Sequence, residues 1–397
     1  MARPPIEVDA RALPPLGMPA ERFLRDYWQK RPLLIRNAFP DFVSPISPED
    51  LAGLACEEGV LARIISHDRH RDHYALRTGP FDEAEFPAMP DHDWTLLVQD
   101  VDKWDADIRG LLAAFAFLPR WRMDDVMVSF AAPGGSVGAH VDQYDVFLLQ
   151  AHGHRRWQID ARRDPPTDFR DDVEIKLLRS FDPSHDWVLA PGDMLYLPRG
   201  VPHHGVAEDA CLTFSVGMRA PAVAELMVDL AERLAEAVPE EQRYADPDLA
   251  PPADPFEIDA AALARVEAAL RTLRELPEAA LRDWFGGFMT TYRSAGDIVP
   301  PPRPLTAATL AKKLEQGAVL ERHPHARYAW ARAGRGAVLY AHGSALPMAT
   351  ASARLLAAAD RLEAADVAGL EPRGREALEQ LAARGHYAAV RGRRRAG

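Results

Sequence analysis

The pattern of apolar and polar residues predicts a mixed region at the start of the chain. Apolar residues recur at helical spacing in 19–28, and the apolar run Leu33 to Ile35 follows directly after a proline. Ser47 precedes a second helical pattern and has the side chain of a good N-cap, with Asp50 three residues later. These features predict a helix, a short buried strand and a second helix before residue 60.

Between about residues 60 and 220 the pattern changes to short apolar or alternating runs, separated by glycine and proline. Short runs with turn residues between them predict the strands of an antiparallel barrel or sandwich. Their order fits a mainly β fold, the double-stranded β-helix or jelly roll of the cupins, with ligands at strand ends near the barrel mouth. The predicted strands are 62–66, 73–76, 94–99, 125–130, 146–150, 156–159, 194–197 and 211–216.

After residue 221 the apolar positions return to a helical period, in 222–238, 258–275 and 277–293. The apolar faces of such helices need a cover, either the barrel of the same chain or a second copy, and both alternatives stay open. The proline-rich segment 298–304 predicts a stiff linker. Beyond it the pattern predicts a winged-helix-like module, with helices at 306–315, 351–364 and 373–383 and a hairpin at 328–340.

These changes of pattern predict three domains: a jelly-roll barrel domain with an N-terminal extension over residues 1–220, an α-helical subdomain over 221–297, and a winged-helix-like domain over 298–397. The length of 397 residues agrees with two or three domains. A content of 47% hydrophobic and 27% charged residues is typical of a globular protein.

Composition narrows the classes of partner and compartment. No run of about 18 apolar residues predicts a membrane span, and the N-terminus lacks the pattern of a signal peptide. Cys56 and Cys211 are too few for a disulfide framework, so we expect a reducing cytoplasm. The formal net charge of −12 argues against broad nucleic-acid binding and favours a basic protein partner. The arginine-rich tail 391–395 leaves direct RNA contact open.

Two short segments carry the candidate chemistry. His140 and Asp142 are two residues apart in a predicted strand, which places both side chains on one face. Downstream, Pro202 precedes the pair His203 and His204, of which alternation lets only one face inward. Two histidines and one carboxylate, with three positions left open, form the facial triad of non-haem Fe(II) oxygenases. The sequence therefore predicts an iron enzyme.

An oxygenase of this kind needs a cation for its reducing co-substrate. For 2-oxoglutarate, an arginine suits the distal carboxylate because its planar guanidinium pairs with both oxygens. Arg155 and Arg156 follow the strand after the metal segment and alternate in direction, so only one of them can point into the barrel. The alternative is that both are surface charges.

Longer motifs carry a family resemblance. The chain resembles the bacterial JmjC-type ribosomal oxygenases, in particular those that hydroxylate an arginine of the large-subunit ribosomal protein uL16. The resemblance covers most of residues 1–290, and beyond them it is one of architecture. It is carried by residues 23–32, 46–55, 133–147 and 215–221.

The resemblance implies roles for individual residues. His140, Asp142 and His203 would be the iron ligands, His203 being the histidine directly after proline in the family's Pro-His-x-Gly turn. Arg155 would bind the carboxylate of 2-oxoglutarate. Ala131 departs from the family, which often has a small hydroxyl residue there, and Ser129, two residues earlier, is a candidate to compensate.

The resemblance also implies cofactors and partners: Fe(II), 2-oxoglutarate and O2, uL16 as the protein substrate, and a homodimer formed through the helical region after the barrel. Two other functions compete with this one. One is a metal cupin enzyme that does not use 2-oxoglutarate and needs no deep arginine. The other is a metal sensor whose winged helix acts as a binding module, which predicts a basic recognition helix within 305–390. We favour the oxygenase.

Overall fold

The computed structural model describes residues 4–247, 249, 258–271, 275–291 and 298–391. The chain divides into two compact units, Met1–Ala220 with Arg293–Asp297, and Pro221–Tyr292 with Ile298–Gly397. The separate helical subdomain at 221–297 stays a prediction. Within the described residues, no helix has both the length and the apolar character needed to cross a membrane.

The start of the first unit confirms the predicted helix, strand and helix. Its elements are β1 (Glu7–Asp9), α1 (Ala20–Asp26), β2 (Leu33–Arg36) and α2 (Pro48–Leu54). The Ser47 side chain accepts a hydrogen bond from the Asp50 N–H while the Asp50 carboxylate accepts one from the Ser47 N–H. This capping box fixes the beginning of α2.

The remainder of the first unit is the predicted jelly roll. The strands are β3 (Ala62–Asp68), β4 (His73–Thr78), β5 (Trp94–Val98), β6 (Met123–Ala131), β7 (Val146–His152), β8 (Arg155–Ile159), β9 (His185–Leu189), β10 (Met194–Leu197), β11 (His203–Ala207) and β12 (Cys211–Met218). A nine-stranded sheet has the order β1-β2-β10-β7-β12-β6-β5-β3-β4, and a second sheet has the order β11-β8-β9. Two short helices between β5 and β6 were not predicted, namely α3 (Val101–Trp104) and α4 (Ala106–Leu111).

Alternation along the central strands gives the large sheet two different faces. Phe147 and Leu149 of β7 and Phe214 of β12 belong to a large apolar core that also includes Phe23 of α1. On the opposite face, Leu148 of β7 belongs to a smaller apolar cluster with residues of β8, β9 and β10. The second face therefore lies between the two sheets and forms the interior of the jelly roll.

The second unit confirms a winged-helix-like arrangement of helices with small sheets. Its strands form two three-stranded sheets, β17-β13-β18 and β14-β15-β16. The elements are α5 (Val223–Ala235), α6 (Ala260–Ala269), α7 (Glu278–Thr290), α8 (Ala307–Glu315), β13 (Ala318–Arg322), β14 (Tyr328–Ala333), β15 (Gly336–Ala341), β16 (Ser344–Met348), α9 (Thr350–Ala358), β17 (Arg361–Leu362), α10 (Ala364–Ala368), α11 (Pro372–Ala383) and β18 (Tyr387–Arg391).

One predicted helix of this unit is wrong. The pattern predicted a single helix over 351–364, but α9 ends at Ala358, and Arg361 and Leu362 pair with β13. Glu363 then opens α10 through a capping box with Asp366. The C-terminal parts of the predicted helices 258–275 and 277–293, and the tail beyond Arg391, include residues outside the described ones.

Candidate metal centre

His140, Asp142 and His203 come together where β11 begins. The Asp142 Oδ2 atom lies 3.6 Å from His203 Nε2 and 4.0 Å from His140 Nε2. One ligand atom from each side chain lies within 4.8 Å of the others, and no second group of three His, Cys, Asp or Glu side chains in the described part of the chain is as close. A divalent metal ion would fit among these three atoms.

The backbone holds the two histidines opposite each other in a different way from the predicted strand. Residues 138–145 form no regular strand, since β7 begins at Val146, and His140 makes an isolated antiparallel bridge with His203. Each histidine donates its backbone N–H to the carbonyl oxygen of the other at 3.0 Å. The side chain of Asp142 therefore reaches the site from an irregular segment, where strand alternation does not apply.

Hydrogen bonds to the backbone set the tautomer of both imidazoles. The Nδ1 atom of His140 lies 3.0 Å from the Gly138 carbonyl oxygen, and that of His203 lies 2.9 Å from the Val201 carbonyl oxygen. A carbonyl oxygen only accepts, so Nδ1 carries the proton and donates in each case. The Nε2 lone pairs are left for a metal, an arrangement that is typical of metal-binding histidines.

Burial favours the neutral, metal-binding form of His203. Its side chain is buried, and this burial, with a smaller contribution from neighbouring His140, holds the pKa of His203 well below its usual range. His204 points to the other side of β11, as the alternation predicted, and packs edge-on against Phe181 at 6.1 Å between ring centres. Alternation along β11 therefore explains why His203, and not His204, lies beside Asp142.

Arg155 is buried inside the jelly roll, and among the described residues no carboxylate forms an ion pair with it. Its exposure is 3%, and its Nη2 donates to the Gly205 carbonyl oxygen at 3.3 Å. Its Nε has no hydrogen-bond partner in the described structure, and the guanidinium lies 5.1 Å from the centre of the Trp157 ring. Burial lowers the pKa of Arg155. Arg156 points outward and pairs with Asp186 and Glu208.

An unpaired buried guanidinium is costly, which indicates a missing anionic partner. A small dicarboxylate whose other end reaches the metal centre would satisfy Arg155. Both halves of the implied cofactor set, a divalent metal and 2-oxoglutarate, therefore fit the side chains that are present.

Gly205, which sequence reasoning did not single out, makes room for this arginine. A Cβ atom at Gly205 would lie 2.7 Å from Arg155 Nε and 2.7 Å from the Trp157 ring. Gly205 faces Trp157 across the β8–β11 pair. The glycine of the Pro-His-His-Gly segment was a visible signal, and its role depends on cross-strand neighbours far away in sequence.

Ser129 and Ala131 lie on the inner face of β6, both buried. The Ser129 hydroxyl donates to the Thr213 carbonyl oxygen at 3.4 Å. Ala131 pairs with Cys211 on β12, and the Cys211 thiol interacts with the Arg155 guanidinium. The position without a hydroxyl therefore lies next to a thiol, and the part that Ser129 plays in co-substrate binding stays a prediction.

Tyr144 and Asp145, which follow the metal segment, have different environments. Asp145 is fully buried and accepts hydrogen bonds from the Tyr196 hydroxyl at 2.7 Å and from Gln29 Nε2 at 2.8 Å. Tyr144 is 41% exposed. Asp145 is thus engaged in the core, whereas Tyr144 remains exposed.

Two family models and several known proteins match this chain. A JmjC domain model matches residues 110–226, and a model of a ROXA-like winged helix matches residues 242–388. The ribosomal protein uL16 3-hydroxylase of Escherichia coli is 37% identical over 300 residues, 76% of this chain and 79% of its own. A probable ribosomal oxygenase of Haemophilus influenzae is 44% identical over 208 residues, 52% of this chain and 51% of its own.

Solved structures agree over nearly the whole chain. YcfD, a ribosomal oxygenase from Escherichia coli, has a TM-score of 0.80 at 34% identity and covers 94% of this chain and 98% of its own. Its complex with cobalt and 2-oxoglutarate has a TM-score of 0.81 at 33% identity, covering 94% of this chain and 99% of its own. That relative therefore binds a metal and the dicarboxylate for which the site here has room.

Proposed function

This chain belongs to the JmjC-type ribosomal oxygenases, and we propose that it hydroxylates an arginine side chain of ribosomal protein uL16, using Fe(II), 2-oxoglutarate and O2. The relative that carries this activity in its name is 37% identical over 76% of the chain. The single observation that carries the proposal is that one jelly roll contains both the histidine–carboxylate group and a buried Arg155 whose Nε has no hydrogen-bond partner among the described residues. A metal sensor without a co-substrate would have no use for such an arginine.

In this proposal His140, Asp142 and His203 hold the iron through two Nε2 atoms and one carboxylate oxygen. Bound Fe(II) supplies the activation of O2 that hydroxylation of an unreactive C–H bond requires. The backbone carbonyls of Gly138 and Val201 keep the imidazoles in the tautomer that can bind the metal. The bridge between His140 and His203 fixes the ligands before the metal arrives.

Arg155 binds and orients the co-substrate. Its guanidinium pairs with the distal carboxylate of 2-oxoglutarate, and Trp157 and Gly205 fix its position. Ser129, on β6 of the other sheet, would add a polar contact to the co-substrate. Exclusion of water by the apolar cluster between the sheets strengthens this ion pair.

We also propose that the protein forms a homodimer through α5 and α6. Apolar side chains on these helices remain exposed in the single chain, and Met227 on α5 is 66% and Leu263 on α6 is 59% exposed. Contiguous exposed apolar surface favours association with a second copy. Sedimentation equilibrium tests this. We expect the unaltered chain to be a dimer and the Met227→Asp variant to be a monomer. A cytoplasmic location agrees with a ribosomal protein substrate.

Intact-mass analysis tests the reaction. Ribosomal protein uL16 is incubated with the chain, Fe(II), 2-oxoglutarate and O2, and we expect the mass of one added oxygen atom, absent with His140→Ala. Fragmentation should place the added oxygen on an arginine. Turnover of 2-oxoglutarate to succinate without a mass change would keep the oxygenase and reject the substrate. An absence of any turnover would favour the metal sensor.

A further inference from the structure

The net charge of −12 conceals two regions of opposite sign. Residues 1–297 contain 31 Lys and Arg against 51 Asp and Glu, whereas residues 298–397 contain 16 against 8. Of those 16 basic residues, 14 are arginines. The argument from total charge against nucleic-acid binding therefore does not hold for the winged-helix region, whose own charge is strongly positive.

A defined surface of this region combines arginines with an aromatic ring. Trp330 and Arg332 are two residues apart on β14, an edge strand in the described sheets, so they share a face. Gly334 and Arg335 form the two-residue turn to β15, since Ala333 pairs with Gly336, and Arg335 is exposed at its tip. We call Trp330, Arg332, Arg335 and the nearby Arg354 the arginine–tryptophan surface.

Arg354 joins this surface from helix α9. Its guanidinium carbon lies 5.7 Å from the centre of the Trp330 ring, and its side chain is exposed. In the part of the chain that the structure describes, none of the three arginines of this surface forms an ion pair with a carboxylate. Their charges are therefore available to an external anion.

Several acidic residues of the same region have local structural roles instead. Asp360 pairs with Arg322, with 3.5 Å between Oδ1 and Nη1. Glu363 forms the capping box of α10 with Asp366. Glu371 caps α11 by accepting the N–H groups of the first turn. These carboxylates cap helices or pair with Arg322, and none of these interactions involves an arginine of the arginine–tryptophan surface.

We propose that the arginine–tryptophan surface is a binding site for single-stranded RNA. Arginine pairs with phosphates through its planar guanidinium and also stacks on bases, and an indole ring offers a further stacking platform. An acidic protein would need the positive charge but not the partly exposed tryptophan beside it. The site is separate from the metal centre in sequence and chemistry; only the choice of RNA over DNA rests on the proposed ribosomal substrate.

Fluorescence anisotropy of the full-length chain with a labelled single-stranded RNA oligonucleotide of mixed sequence tests the proposal. We expect binding with a Kd on the order of 1–100 µM, which weakens as salt is raised from about 50 to 200 mM. Arg332→Glu with Arg335→Glu should weaken binding at least about tenfold and reduce the salt slope by about 1.4, since each lost phosphate contact accounts for about 0.7. Trp330→Leu should weaken binding about fivefold or more while the salt slope is retained.

A matched control reverses two exposed arginines of the first unit, Arg25→Glu with Arg71→Glu, whose side chains are 66% and 84% exposed. This variant changes the total charge equally and should bind RNA as the unaltered chain does. Equal losses in both double variants would overturn the proposal, because total charge would then be the cause. So would no RNA binding at low salt, tighter binding of polyglutamate than of RNA, or tighter binding of DNA of the same sequence.

Hydroxylation of isolated uL16 separates this inference from the proposed function. The arginine and tryptophan variants should retain that activity, because their residues lie outside the metal centre. Circular dichroism of each variant checks that the winged-helix region is folded. RNA binding without hydroxylation would reject the proposed substrate alone, and hydroxylation without RNA binding would reject this site alone.

Discussion

The two faces of the central strands β6, β7 and β12 have opposite compositions. The outer face is apolar, and Val128, Phe147 and Phe214 belong to one continuous core. The inner face, toward the second sheet, carries buried polar groups such as Ser129 and Thr213. Neighbouring residues of the same strands thus serve different purposes, because successive side chains point to opposite faces.

The difference indicates that stability and chemistry are divided between the faces. Aromatic packing on the outer face, such as Phe147 against Tyr196 at 4.8 Å between ring centres, fixes the strands. The inner face holds a buried arginine without an anion and a pair of histidines whose Nε2 atoms face an acid. A substitution on one face should therefore leave the role of the other face largely intact.

The largest effect should follow from removing a ligand on the inner side. His203→Ala should reduce turnover by about a thousandfold or more, about 4 kcal/mol in activation free energy, because the proposed iron site would lose one of its three protein ligands. His204→Ala is the matched control from the other side of β11 and should lose less than about tenfold. Turnover kinetics with equal metal loading measure both. Equal losses in the two variants would contradict the division between inner and outer positions.

The converse change is on the outer face. Phe147 is fully buried in the aromatic core, so Phe147→Ala should lower the free energy of unfolding by about 3–5 kcal/mol. Urea denaturation measures this loss. In the folded fraction, Co(II) affinity should stay within about twofold of the unaltered chain, less than about 0.5 kcal/mol. A metal affinity that falls in proportion to stability would contradict the division between the faces, because packing on the outer face would then determine metal binding on the inner face.

Gly205 tests how tightly the inner face is fitted around Arg155. The added Cβ of Gly205→Ala would lie 2.7 Å from Arg155 Nε, so the guanidinium must shift. We expect a rise in the Kd of 2-oxoglutarate of about 10- to 100-fold, about 1.4–2.8 kcal/mol. Calorimetry with Mn(II)-loaded protein under anaerobic conditions measures it. Gly110→Ala is the control, since an added Cβ there would meet no atom within 4 Å.

The carboxylate of Asp125, on the inner face of β6, should lower the free energy of unfolding at neutral pH. Burial, with repulsion from Asp100, Asp124 and Asp102, raises its pKa to about 7. A carboxyl whose folded pKa is raised contributes stability below its unfolded pKa near 4, and this contribution is lost as the pH rises through about 7.

Asp125→Asn removes this titration. The variant should be more stable than the unaltered chain at pH 8, by about 1–2 kcal/mol, and should show no such gain at pH 4. Thermal unfolding at both pH values measures the difference. A variant that is less stable at pH 8 would show that the hydrogen bond from the Asp100 N–H to the Asp125 carboxylate outweighs the repulsion.

Much of this division was predictable from sequence. Apolar and alternating runs predicted most of the strands but not β1 or β9, and alternation correctly allowed only one of His203 and His204 to face inward. The same rule failed at His140 and Asp142, where it predicted a strand and the structure has an irregular segment with one bridge. Their proximity depends on the partner at His203, which lies 63 positions further along the chain and is not visible in a local pattern.

Other features needed the register between strands. The place of Gly205 beside Arg155 follows from its pairing with Trp157, 48 positions away, and Ala131 lies opposite Cys211, 80 positions away. The predicted helix 351–364 was wrong for a similar reason, because pairing with β13 at Arg361 overrides local helical propensity. Composition summed over the whole chain also hides a regional difference, since residues 1–297 carry a net negative charge and residues 298–397 a net positive charge.

Ala131 gives the smallest and most specific test of the inner face. It is fully buried, pairs with Cys211 and packs with Ala207, which is the β11 partner of Arg155. Thr and Val have nearly the same shape, so comparison of Ala131→Thr with Ala131→Val isolates the hydroxyl from the added bulk. If the hydroxyl reaches the co-substrate carboxylate, the threonine variant should bind 2-oxoglutarate about 2- to 10-fold more tightly than the valine variant, the value of about one hydrogen bond. Equal affinities would mean that the Cys211 thiol, or Ser129, already supplies the hydrogen bond to the co-substrate carboxylate, so that a hydroxyl at position 131 adds nothing.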